Sequence, residues 1–163
     1  MAAKADGPEP DSGLRTDFER SVNYLVTALS NKLCTAASHR LRRRLKIGLM
    51  EWRVIALLAV DGEATPGRIA QVAGVDKSVV SRAVTSLAKL GLVHVAGTGG
   101  SGRQTLLLLT DAGWATHERG IVESIAAEQR LLRGFTPAEH DAAVLLLKRL
   151  AANVARGESA DPA

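Results

Sequence analysis

The stretch Thr65-Pro66-Gly67-Arg68-Ile69-Ala70-Gln71-Val72-Ala73-Gly74-Val75-Asp76-Lys77-Ser78-Val79-Val80-Ser81-Arg82-Ala83-Val84-Thr85-Ser86-Leu87-Ala88-Lys89-Leu90 decides the fold. Thr65 can cap free N–H groups with its hydroxyl, and proline at the first helical position loses no hydrogen bond, so a helix is expected from Pro66. Gly74 ends it, because glycine tolerates the left-handed backbone of a tight turn. Asp76 then starts a second helix, where its carboxylate is expected to cap the orphan N–H groups and meet the positive end of the dipole. In that helix Val80, Ala83, Val84, Leu87 and Leu90 recur at spacings of three and four and predict an apolar stripe facing a core. Lys77, Ser78, Ser81, Arg82, Thr85 and Lys89 fall on the other side.

Downstream, Leu92–Val95 alternates as a strand does, 97–102 is glycine-rich, and Gln104–Leu109 can pair back. Two helices across a tight turn followed by a hairpin is the order of a winged helix-turn-helix. The polar face of the second helix suits a major groove. Short hydroxyls donate or accept at base edges and phosphates, and Arg82 can fork onto guanine. Any amphipathic surface helix also turns such residues to water, so the face alone does not decide; the turn before it and the hairpin after it favour DNA recognition. Arg103, with Ser101 beside it at the hairpin tip, fits a minor-groove contact and equally a solvated turn. Arg68 adds a cation on the first helix, and Asp76 is the sole acid between Thr65 and Thr110.

At 163 residues the chain fits a single domain with a sizeable core, and 21 basic against 17 acidic residues leave a net charge of +4. Aromatic residues make up only 3%, so the fold class expected is mainly α with an aliphatic core and a small β-wing. Residues 1–13 and 156–163 are expected to be disordered tails flanking one domain over 14–155, with the winged head at about 49–110. A long helix is expected from Asp17 to about Arg43, with Phe18, Val22, Leu25, Leu29 and Leu33 on one face. A second is expected from Asp111 to about Leu132 behind Thr110, and a third from Pro137 to Val154 behind Thr136. Val144, Leu147, Leu150, Ala151 and Val154 form a stripe that Leu145 and Leu146 widen. These helices carry more apolar surface than the head can cover, and pairing with a second copy through Phe18, Val22, Leu25, Val144, Leu147, Leu150 and Val154 is the simplest remedy; a helical bundle within one chain is the alternative.

Leu49-Met50-Glu51-Trp52-Arg53-Val54-Ile55-Ala56-Leu57-Leu58, Val75–Arg82, Leu87-Ala88-Lys89-Leu90-Gly91-Leu92-Val93 and Leu109-Thr110-Asp111-Ala112-Gly113 resemble, in order and spacing, the MarR family of bacterial transcription regulators, over about residues 17–155. That family usually carries Asp-x-Arg at the wing tip, where this chain has Ser101-Gly102-Arg103: the arginine is present and the aspartate absent. The resemblance implies a cytoplasmic homodimeric repressor on a pseudo-palindromic operator, joined through its first and last two helices. It also implies release of double-stranded DNA by a small aromatic or phenolic effector, with Leu41, Arg44, Trp52 and Ile55 as candidate pocket residues.

Other functions find little support. No catalytic signature of nucleophile and base, phosphate loop or paired acids is present, so no catalytic residue and no cofactor is expected. His39, His94, His117 and His140 are scattered, which argues against a metal site. Cys34 is the lone cysteine, and its place in an apolar helix predicts a buried, inert thiol. The run His39–Lys46 fits cations complementing a helix C-terminus, and also a phosphate contact or an anchor for an acidic ligand. No segment is apolar enough for a membrane span. The alternative within the same fold is a winged helix used for protein–protein interaction without reading DNA sequence.

Overall fold

The computed structural model describes residues 18–97 and 105–160. Along these the elements are α1 (Val22–Leu45), α2 (Leu49–Asp61), β1 (Glu63–Ala64), α3 (Pro66–Ala73), α4 (Lys77–Lys89), β2 (Val93–Gly97), β3 (Thr105–Leu109), α5 (Asp111–Leu131) and α6 (Pro137–Ala160). The result is a mainly α fold with one small antiparallel sheet, in the strand order β1-β3-β2. The chain divides after Trp114 into two compact units.

In the first unit one aliphatic core gathers side chains from α1, α2, α3, α4 and all three strands. Leu41, Ile47, Val54, Ile55, Leu58, Ile69, Val80, Leu87 and Leu107 are its fully buried members. Burying a side chain of this size is worth about 1.5–3 kcal/mol, against a few tenths for the helix propensity of one residue, so the core sets how α4 is rolled about its own axis. α1 contributes only its C-terminal end, through Leu41 and Leu45, whereas Val22, Leu25, Leu29 and Leu33 on its earlier turns are exposed. The residues of the expected apolar face of this helix are thus uncovered, and the core takes the helix's last turns instead.

The hairpin pairs Val93 with Leu109, Val95 with Leu107 and Gly97 with Thr105. Sequence alone predicts only these two strands. β1 adds Glu63 opposite Leu108 and Ala64 opposite Leu107, and two residues are too few to show a period of two.

Helix boundaries depart from expectation in three places. α1 starts at Val22 behind Ser21, whose hydroxyl accepts from the Tyr24 N–H, rather than at Asp17. α4 ends at Lys89, and Leu90 is its C-cap and 53% exposed instead of part of the core stripe. Gly91 takes a φ of 69°, its N–H bonds the Ala88 carbonyl, and the chain doubles back so that Leu92 packs against the core in place of Leu90. α6 runs to Ala160, so 156–160 continue the helix that was expected to give way to a tail after residue 155. No proline interrupts it before Pro162, the Arg156 guanidinium donates to Asn153 one turn back, and a single glycine at 157 costs a helix only about 1 kcal/mol.

In the second unit α6 is anchored by a reciprocal cap: the Thr136 N–H and hydroxyl both donate to Glu139 Oε2 at 2.8 Å, and the Glu139 N–H donates to the Thr136 hydroxyl. Val144, Leu147, Leu150 and Val154 are exposed along it. No helix among the described residues is long and apolar enough to cross a membrane.

Candidate nucleic-acid interface

α3 and α4 meet through a left-handed Gly74 at φ 62° and ψ 42°. The Val75 N–H reaches back to the Ala70 carbonyl at 3.1 Å, which closes the end of α3 and leaves Asp76 extended at the start of α4. Thr65 caps α3 as expected, its hydroxyl accepting from the Arg68 N–H at 3.2 Å. Asp76 does not: its side chain makes no cap hydrogen bond, and only its charge, set at the positive end of the helix, favours α4.

α4 buries Val80, Ala83 and Leu87 and keeps Val84 half-buried. Lys77, Ser78, Ser81, Arg82, Thr85 and Lys89 are all exposed. The helix thus presents two lysines, an arginine and three hydroxyls to solvent, with no acid on that face. The hydroxyl hydrogen of Thr85 is spent on the Ser81 carbonyl at 2.9 Å, so Thr85 meets a ligand as an acceptor. From Lys77 to Lys89 the axial rise is about 18 Å. Recognition helices read bases with their N-terminal part, which gives Lys77, Ser78, Ser81 and Arg82 the base-reading positions and Lys89 the far end.

Arg68, expected to join the DNA-facing cations, is exposed and lies 3.5 Å from Asp61 Oδ2. The wing stem is β2 and β3 up to the Gly97–Thr105 pair. Ser101 and Arg103 lie outside the described residues.

The four candidate pocket residues differ in exposure. Leu41 and Ile55 are 1% and 0% exposed and belong to the core, because their register on α1 and α2 points them at each other's layer; Arg44 is exposed. Trp52 lines a cavity, of about 480 Å³ between α2 and α3, with Arg53, Ala56, Val60, Ile69 and Val72. Cys34 is half-buried rather than buried, since at its level α1 faces Arg53 of α2, whose guanidinium donates to Cys34 Sγ at 3.7 Å. A second cavity, of about 580 Å³, brings Arg42 and Lys46 from the end of α1 beside Arg82 of α4. The basic run 39–46 is plain in the sequence, but its position beside α4 depends on packing between segments distant in the chain.

The MarR family model matches residues 45–104, the span from the end of α1 to the wing. Among solved structures, a MarR/EmrR family transcriptional regulator from Acinetobacter sp. ADP1 is 30% identical, with a TM-score of 0.80 over 86% of this chain and 99% of that one. The MepR–DNA complex of S. aureus is 18% identical, with a TM-score of 0.72 over 83% and 98%. The PcaV transcriptional regulator from Streptomyces coelicolor, in complex with its natural ligand, is 22% identical, with a TM-score of 0.71 over 84% and 96%. The comparison with curated proteins returned no match.

Proposed function

Because the chain belongs to the MarR family of transcriptional regulators, and is therefore a regulator and not an enzyme, we propose that it represses transcription as a cytoplasmic homodimer bound to a pseudo-palindromic operator. The observation that carries this reading is the two-faced α4. Its apolar side is sealed in the core, and its outer side offers Lys77, Ser78, Ser81, Arg82, Thr85 and Lys89 with no acid among them. Arg82 reads a base edge, the hydroxyls of Ser78 and Ser81 bond base edges or phosphates, and Lys77 and Lys89 neutralise phosphates. Ser101 and Arg103 of the wing, with Arg68, extend the contact. The MepR relative solved with DNA supports the use of this fold on a duplex.

Uncovered apolar side chains support the dimer. In the first unit Phe18, Val22 and Leu25 are exposed, and in the second Val144, Leu147, Leu150 and Val154 are. Surfaces of this kind are normally covered by a partner, and a twofold pair of heads matches the symmetry of duplex DNA. A small aromatic or phenolic effector releases the operator by binding the DNA-incompetent state more tightly, with a coupling of about 1–3 kcal/mol. The mostly apolar cavity at Trp52 and Arg53 supports such a ligand, as does the ligand-bound PcaV relative.

Selecting bound duplexes from a random pool tests the core of this reading. Recovery of a palindromic sequence is the expected result. Binding with no sequence preference, or with no steep loss on adding salt, overturns it.

A further inference from the structure

Arg42 and Lys46 stand at the C-terminal end of α1, outside the helix-turn-helix, yet they line one concave surface with Arg82 of α4. Three cations from two helices converge there. Among the described residues none of the three has an acidic partner. Glu51 is the single carboxylate of the lining, and it is turned onto the backbone N–H of Gly48. Like charges gathered without a counter-charge repel one another, and an outside anion relieves that repulsion.

Complementing the dipole of α1 accounts for cations in its last turn, which holds Arg42, Arg43 and Arg44 alike. It accounts poorly for Lys46. This residue lies past the last turn with φ 61° and ψ 24°, and among the described residues it is the only non-glycine with a positive φ. Glycine or asparagine is the low-energy choice at such a cap, and a lysine there carries a backbone cost that the helix end does not require.

We infer that Arg42 and Lys46 bind backbone phosphates of the duplex that α4 reads, so that α1 itself contributes to the DNA interface; this rests on the DNA-binding reading above. A duplex seated on α4 carries its phosphates past Arg82, and the long side chains of Arg42 and Lys46 border the same hollow. Such contacts strengthen binding to every sequence and read none.

The test is the salt dependence of duplex binding by the full chain, measured on the selected operator and on a scrambled duplex. Lys46→Gly removes the charge while suiting the left-handed backbone, and Arg42→Gln keeps a polar chain of similar length. Arg43→Gln, on the same exposed turn but not in the hollow, is the control. Each of the first two variants is expected to reduce the slope of log Kobs against log salt by about 0.9 for each phosphate no longer neutralised, equally on both duplexes, with no change in sequence preference. Arg43→Gln is expected to leave the slope unchanged, and melting by circular dichroism to show all three variants folded. Unchanged slopes in Lys46→Gly and Arg42→Gln, with operator binding intact, overturn the inference, as does an equal reduction in Arg43→Gln. A hollow that binds inorganic phosphate through Arg42 and Lys46 without altering the duplex slope also overturns it, in favour of a small-anion site. Absence of salt-dependent duplex binding by the unaltered chain removes the DNA-binding reading and this inference together.

Discussion

Gly113, in the first turn of α5, lies so close to Leu92 that a Cβ built on it would sit 2.1 Å from the Leu92 carbonyl oxygen. The same carbonyl accepts the Thr110 N–H at 3.2 Å, and the Thr110 hydroxyl donates to the Gly91 carbonyl at 2.7 Å while accepting from the Gly113 N–H at 3.0 Å. The turn that ends α4 and the turn that begins α5 are thus tied by backbone contact.

Gly113→Ala therefore destabilises the protein. In an open helix alanine gains about 1 kcal/mol over glycine, but here the neighbour is backbone that cannot swing aside, and overpacking of this kind costs about 1–3 kcal/mol. Gly157→Ala, with nothing within 4 Å of the new methyl, is expected to stabilise α6 by about 0.5–1 kcal/mol. Urea unfolding midpoints of the two variants should move in opposite directions.

Arg82→Ala is expected to weaken binding to the selected operator by about 1–3 kcal/mol and to flatten the preference at one position of each half-site. Lys89→Ala, at the far end of the helix, should weaken operator and scrambled duplex alike and lower the salt slope by about 0.9 for the one phosphate it neutralises. Titrations by fluorescence anisotropy on both duplexes separate the two roles. Equal weakening on both for Arg82→Ala would remove it as a base reader.

Leu25→Lys and Leu150→Lys each place a charge on an uncovered apolar face, of α1 and of α6 respectively. Both variants are expected to keep the helical signal of the parent, because neither side chain belongs to the core, and to sediment as single chains where the parent sediments as two. An unchanged mass in both variants would place the dimer contact elsewhere or deny it.

The hydrogen bonds from the Thr136 backbone and then from its hydroxyl hold the Glu139 carboxyl below its ordinary value of 4.5. A depressed carboxylate contributes to stability above its unfolded value, and the contribution is lost as pH falls through the lowered folded value. The start of α6 is therefore expected to loosen only below pH 4.5. In a carbon-detected NMR titration the Glu139 carboxyl should titrate below that pH, and Thr136→Ala should return it to the ordinary range.

The order of helices, the turn at Gly74, the wing stem and the starts of α3, α5 and α6 are legible in the sequence because each rests on a local rule. Thr65, Thr110 and Thr136 cap the residues that follow them, Gly74 allows a backbone that other residues resist, and the spacing of Val80, Ala83 and Leu87 marks the inner side of α4. With the inner side known, the outer side follows from helical periodicity alone, and with it the set of polar residues that α4 turns to solvent. What the sequence could not supply is any feature made by residues far apart in the chain. β1 exists only because Ala64 pairs with Leu107, and Leu41 and Ile55 meet in one core although they are fourteen residues apart on different helices. Arg42 and Lys46 read as helix-end charges until the end of α1 and α4 border one hollow that also holds Arg82. Capping and periodicity act over one or two turns and are written in neighbouring residues. Pairing, ion contacts and shared cavities depend on which surfaces the core brings together, and only the tertiary structure decides that.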